Sequence, residues 1–417
     1  MARYPIYAPD YRIKIDGEPI PAALRAAIVS ISYQDGIEGA DRVEVTIANE
    51  NLRWLDHPLL QADNGFALSL GYAPDPLEEV FVGEITGVEP TFPNGGMPTI
   101  KITAHDFLQR LTKGTKDRGF VISIPSVGNF PLPDVAVASL ISAENLLIPG
   151  LDPVGGVLSV LMNLATYVAV GQTGVERQHE ASDFDFLTQL ARRNGWEMFI
   201  DHTAEPRGYV LRFKFLLSEL SPSVSLKWGA TLMNFTPRLT TVGDVAGVEV
   251  RVWVSALKMA FVVKVAWDFD RAAFNLSVFP SFGSLAPAGQ KEPTLSINPT
   301  DFARTPQTIL TNLLPRLNNR LTGAGGTTGD LRIKAGRVID LEGLGEQFSG
   351  LYRITSASHT LDGSGFRTGF QVRKEIWFGS IPLPKSPAKL LRVQGQSLEG
   401  AASGAAALGG SVNLNIG

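Results

Sequence analysis

The chain repeats itself. Residues 81–104 read FVGEITGVEPTFPNGGMPTIKITA, and residues 348–373 read FSGLYRITSASHTLDGSGFRTGFQVR. Both open Phe-x-Gly, at Phe81 and Gly83 and at Phe348 and Gly350. Ile85–Thr86 lines up with Ile354–Thr355, Thr91 with Thr360, Gly96 with Gly365 and Thr99 with Thr368. A one-residue slip then matches Ile100 and Ile102 to Phe370 and Val372. A glycine-led strand precedes each copy, GFALSL at 65 and GRVIDL at 336. Apolar alternation broken by a Gly-rich turn is the signature of two antiparallel strands. Its recurrence over about two dozen residues predicts two related β units in one chain.

The rest of the chain fits around those units. From 11 to 110, short alternating runs such as DRVEVTIAN, with Val43, Val45 and Ile47 on one face, are separated by Gly- and Pro-rich turns. Asp16–Gly17 is a hairpin turn signal. Five or six such strands predict a barrel or a sandwich, which the repeat turns toward a first β-barrel over 1–114. An α+β segment over 115–229 follows. Its clearest helix, 182–195, has Ser182 as N-cap, Asp183 and Asp185 in the first turn and Gly195 as the stop. Phe184, Leu187, Leu190 and Ala191 form its expected buried stripe. Residues 157–170 also read as a helix. A second β-barrel is expected over 230–380. An irregular or helical insertion interrupts it at about 268–330 and includes a helix over 306–321 that Pro315 should bend. GVEVRVWVS and MAFVVKVAWDFD read as a strand pair, and 381–417 as a low-complexity tail, mobile in isolation. The fold class is therefore mainly β with α+β insertions.

Composition removes several functions. The chain has no cysteine, which excludes disulfides, thiolate metal sites and cysteine nucleophiles. A net charge of −4 without a basic cluster argues against nucleic-acid binding. The most apolar stretch, 157–170, is short of the roughly 20 residues of a membrane span, so no membrane insertion is expected. The N-terminus lacks an apolar signal core, which predicts a protein made in the cytoplasm.

Candidate chemistry is sparse. His179, Glu180, Asp183 and Asp185 form the densest polar cluster, but Asp183 and Asp185 lie two apart at a helix start and are explained by capping. His57 before Pro58, His105–Asp106 and His202 read as caps or backbone partners. Ser356, Ser358, His359 and Asp362 invite comparison with a hydrolase triad, yet Asp362–Gly363–Ser364–Gly365 is a turn signal and the serines alternate along a strand. No nucleophile elbow or Walker loop occurs. No catalytic, cofactor-binding or metal-binding residue is assigned.

Four segments, taken in order, resemble one family. They are the opening strand region, HEASDFDFLTQLARRNGWEMFI, LKWGATLMNFTPRLTTVGDVAGVEVRVW and KAGRVIDLEGLGEQFSGLYRITSASHTLDGSGFRTGFQVRK. The family is that of the late control D proteins, the baseplate hubs of contractile phage tails and of phage-tail-like contractile injection systems. It is similar to the N-terminal hub part of the type VI secretion spike protein VgrG. The resemblance covers about residues 8–378. It implies two pseudo-symmetric β-barrels per chain and a homotrimer forming a pseudo-hexameric ring. That ring would adapt a sixfold inner tube to a threefold spike, beside other baseplate proteins and without enzymatic activity. Only about 37 residues follow Ser380, so the spike is expected to be a separate protein. The alternatives are a metal- or carboxylate-dependent hydrolase using the His179 cluster, and a surface-binding tail protein.

Overall fold

The computed structural model describes residues 7–124, 128–152, 176–215, 220–240, 247–254, 259–268, 273–281, 295–297, 318–375, 378 and 412–415. The first unit runs β1 (Ala8–Ile15), β2 (Glu18–Pro19), α1 (Ala22–Ala27), β3 (Ile28–Gly36), β4 (Arg42–Ala48), β5 (Gly65–Ala73), β6 (Glu78–Thr91) and β7 (Thr99–Asp106). Asp16 and Gly17 both adopt positive φ and close the β1–β2 hairpin, as the dipeptide predicts. Along β4 the period-two pattern puts Val43, Val45 and Ile47 in the core. Ile13 and Ile15 of β1 share that core with Ile31 and Tyr33 of β3, although these strands stand far apart in the sheet order. The sheet therefore curls around its own interior.

Between the two barrels lie β8 (Lys116–Ile124), β9 (Gly128–Pro131), α2 (Asp134–Glu144), β10 (Ile148–Leu151), β11 (Glu176–Ala181), α3 (Asp183–Asn194), β12 (Trp196–Ile200) and β13 (Val210–Phe215). They make two small sheets and a core of their own. Helix α3 starts and stops as expected. The Ser182 hydroxyl accepts from the Asp185 N–H at 3.0 Å, and Gly195 is left-handed at the C-cap. Its buried stripe carries Phe186 in the position expected for Phe184, which is only partly covered.

The second unit contains β14 (Pro222–Lys227), β15 (Asn234–Leu239), β20 (Leu321–Thr328), β21 (Val338–Glu342), the short α4 (Gly345–Phe348), β22 (Gly350–Asp362) and β23 (Gly365–Arg373). Because β14 pairs in parallel with β21, this unit begins at Pro222, ahead of the expected residue 230. Inserted between β15 and β20 are β16 (Gly247–Val254), β17 (Met259–Asp268), β18 (Ala273–Ser281) and β19 (Leu295–Ile297). The strands expected from GVEVRVWVS and MAFVVKVAWDFD do pair, but in a separate five-stranded sheet. The insertion thus starts near 247, not 268. Within the tail, β24 (Val412–Asn415) adds to β18, where only a mobile segment was expected. The helices expected over 157–170 and 306–321 lie outside the described residues, apart from the last few positions of the second. There the structure has Asn318–Arg320 leading into β20.

The repeat is visible in topology. The first barrel orders its strands β3-β4-β7-β6-β5-β1, and the second orders them β15-β20-β23-β22-β21-β14. Both carry a bulge at the aligned threonine. The ladder steps from Ile85 to Gly87 against β7 and from Ile354 to Ser356 against β23, skipping Thr86 and Thr355. The backbone N–H and C=O of Ile85 bond residues 64 and 63, and those of Ile354 bond residues 337 and 336. Several sequence matches shift. The Phe-x-Gly pairing fails because Phe348 ends α4, whereas Phe81 lies inside β6. On the return strand the ladder equates Thr99 with Arg367, not Thr368, Ile100 with Thr368 and Ile102 with Phe370, because the loop of the first hairpin is longer.

Candidate functional site

The two barrels join through β3 and β22. These strands pair antiparallel over Ile31–Gly36 and Ser356–Leu361, so one sheet runs through both units. His359 sits at this junction, fully buried and opposite Tyr33, with the two rings stacked 5.7 Å apart. Its Nε2–H donates to the Ile333 carbonyl at 3.1 Å, and its Nδ1 accepts from the Thr368 hydroxyl at 2.9 Å. Both nitrogens are satisfied by the neutral ring, and burial pushes the imidazole down to about 4. Asp362 instead turns outward to Ser364 and Arg367. No serine of this strand bonds the histidine, so the triad geometry is absent among the described residues.

Asp35 stitches the same junction. One carboxyl oxygen accepts from the Ala357 N–H and the other from the Ala335 N–H, both at 3.0 Å. Burial and the nearby Asp41 push its pKa up to about 8, against the two backbone donors. His359 and Asp35 therefore act oppositely on stability. The unfolded chain binds more protons than the folded one at His359 between about pH 4 and 6.5, so that contribution is lost on acidification. At Asp35 the folded chain holds the extra proton between about pH 4 and 8, so its contribution falls as pH rises. His359→Gln should remove up to one proton of pH dependence, about 1.4 kcal/mol per pH unit, from the acid side. Asp35→Asn should flatten the alkaline side. Urea midpoints from pH 4.5 to 7.5 measure both; unchanged slopes in both variants would contradict the assignment.

A cavity of about 370 Å³ opens beside the junction, lined by residues that include Asp35, Asp41, His202, Arg212, Lys334 and Arg337. Asp41 and His202 of its wall, with buried Asp106 behind them, bring ligand atoms within 4.8 Å of one another. Asp41 accepts from the Tyr33 hydroxyl at 3.0 Å and the Gly36 N–H at 3.2 Å. Asp106 accepts from the Asp41 and Leu108 N–H groups, and burial and then Asp41 hold its carboxyl well above the usual range. The fit to a cation is poor. Nδ1 of His202 accepts from the Val82 N–H at 3.3 Å, which leaves the hydrogen on Nε2. That nitrogen lies 3.4 Å from Asp41 without a hydrogen bond and, carrying the hydrogen, presents no lone pair to a metal. The cluster brings His202 of the α+β unit against Asp41 and Asp106 of the first barrel. Sequence spacing could not find it, because its members lie far apart in the chain.

The cluster singled out in the sequence is dispersed. Asp183 is buried and held by Lys116 at 2.7 Å, Arg118 at 2.6 Å, Asn145 at 2.9 Å and Gln178 at 3.0 Å. Burial opposes its ionisation, but these partners outweigh it and keep its carboxyl below the usual range. Asp185 is tied to Ser182, and exposed His179 turns to Asp117 at 2.7 Å. His57 accepts from the Leu59 N–H and Asp106 caps the turn after β7, both as expected; His105 meets Thr86 at 2.6 Å.

Solved structures share this architecture. The 43 kDa tail protein of prophage MuSo2 from Shewanella oneidensis superposes with a TM-score of 0.59 at 12% identity, covering 88% of this chain and 98% of that one. A tail protein from Neisseria meningitidis MC58 gives 0.59 at 11%, covering 89% and 98%. The E. coli c3393 protein gives 0.50 at 11%, covering 89% and 79%. It is described as a type VI secretion component structurally similar to the T4 tail proteins gp27 and gp5. No family model matches the sequence, and no curated protein does. The chain has the fold of these phage tail proteins and of that type VI secretion component.

Proposed function

We propose that the chain is the structural hub of a contractile injection machine, a homotrimer in the baseplate that adapts a sixfold inner tube to a threefold spike. The observation that carries this reading is the duplication, with its shared strand order and its bulge at Thr86 and Thr355. Two related units per chain give a threefold assembly six related faces, which is what joining sixfold to threefold symmetry requires. The first barrel and the second, from Pro222 onward, would form the ring, with the α+β unit beside them. Tube, spike and other baseplate proteins are its partners. The role is mechanical: the His179 cluster is spent on capping and ion pairs, and the His359 nitrogens are spent on the junction.

Native mass spectrometry of the purified chain is expected to show a three-chain species, alone or on addition of tube or spike protein. A chain that stays monomeric and captures neither partner overturns the proposal.

A further inference from the structure

The junction between the barrels has a vacant counterpart. Strand β22 spends one edge on β23; on the other it pairs with β21 through Gly350–Arg353 and then with β3 through Ser356–Leu361. Strand β6 is built the same way. One edge takes β7, and the other takes β5 only as far as Glu84. Among the described residues nothing pairs with that edge of β6 beyond the Ile85 bonds. The partner equivalent to β3 is β15, which pairs only with β20 among the described residues.

We propose that β15 of one copy docks on the open half-edge of β6 of the next copy, in the register that β3 takes on β22. This rests on the homotrimer reading above and names the surface that closes the ring. The register follows from the ladders. Ile354 corresponds to Ile85 at the bulge. Ile31 corresponds to Phe235 through the chain of partners Val45, Ile102, Phe370 and Gly325. The in-chain pairs Leu361–Ile31, Thr360–Ser32, His359–Tyr33 and Ser358–Gln34 then become Phe92–Phe235, Thr91–Thr236, Pro90–Pro237 and Glu89–Arg238.

Two features of the open edges fit that register independently. Phe92 is 59% exposed, while its counterpart Leu361 packs on the core of the other barrel. Docking would lay Phe92 over Phe235, which already packs edge-on to Tyr352 at 5.8 Å on the second core. Glu89 and Arg238, both exposed and opposite in charge, would face each other. The two prolines meet where His359 and Tyr33 meet inside the chain. Neither has an N–H, so this pair adds no backbone bond and the ladder between copies is weaker than the one within a chain. The same prolines keep each open edge from accepting arbitrary strands before assembly.

The chain has no cysteine, so introduced pairs report cleanly. Directly opposed residues of an antiparallel pair lie about 4.5–5.5 Å apart at Cα, within disulfide range. Mild oxidation of the full-length Thr91→Cys/Thr236→Cys variant is expected to give a covalent three-chain species that neither single variant gives. Arg238→Glu should weaken association at least fivefold, and adding Glu89→Arg should restore it. A native three-chain mass with no inter-chain disulfide, or a disulfide within one chain, overturns the docking and leaves the trimer standing. Disulfide-linked arrays running past three chains keep the docking and overturn the threefold reading. A monomer with no cross-link, both alone and with tube or spike protein added, overturns both.

Discussion

Alanine in place of Arg353 is expected to destabilise the protein by about 3–5 kcal/mol, because it leaves buried carboxylates short of a cation. Arg353 and Glu375 are both fully buried and paired twice, at 3.1 and 3.0 Å. Arg353 also donates to the Gly336 carbonyl at 2.9 Å. Arg373 extends the network to Glu375 at 3.0 Å and to Glu197 of β12 at 3.2 Å, tying the second barrel to the α+β unit. Two arginines balance two glutamates. Removing one arginine leaves an excess negative charge at a buried site, and the Glu197 carboxyl is already raised by burial. Removing both charges with Arg353→Met/Glu375→Leu should recover more than half of the loss, since the desolvation cost disappears with them. Urea midpoints of the three proteins measure this. An alanine variant as stable as the parent would mean that the pair is solvated.

Much of this fold is legible in the sequence, and the reasons are local. The Ser182 cap, the Asp16–Gly17 hairpin and the strand alternation at Val43, Val45 and Ile47 each depend on a few adjacent residues. The repeat survives because the bulge needs the same geometry in both copies. What stayed hidden is non-local. Asp41, Asp106 and His202 meet only after the first barrel and the α+β unit have packed, and nothing in their spacing marks them. Phe-x-Gly misled for the opposite reason: a short motif recurred while its two copies took unrelated places. His359 was readable as a residue beside a turn, but not as the ring stacked on Tyr33 from the other barrel. A histidine flanked by serines thus proved to be a structural wedge, and chemistry could be judged only once the partners of both nitrogens were known.

Gly83 carries the second large effect. In β6 it pairs with Asp106 of β7, and a Cβ built on it would lie 2.1 Å from the His105 carbonyl oxygen and 2.8 Å from the Phe81 ring. The nearest obstacle is backbone, so no rotamer change relieves it. Either β6 and β7 part at this pair, or the strand end rotates and pulls Asp106 away from the Asp41 and Leu108 N–H groups it serves. Gly83→Ala is therefore expected to cost about 3 kcal/mol, the upper end of what overpacking costs, because the wall it meets is backbone. Gly87 is the control. It lies on the same strand, just past the bulge, and its Cβ would meet only the Thr103 Cβ at an ordinary 3.8 Å. Alanine there should change stability by less than about 1 kcal/mol, because strand alanine and glycine differ mainly in chain entropy. Thermal or urea unfolding of the two variants side by side separates close backbone approach from a general preference for glycine. Equal losses at both positions would mean that the gap at Gly83 is wider than the structure shows.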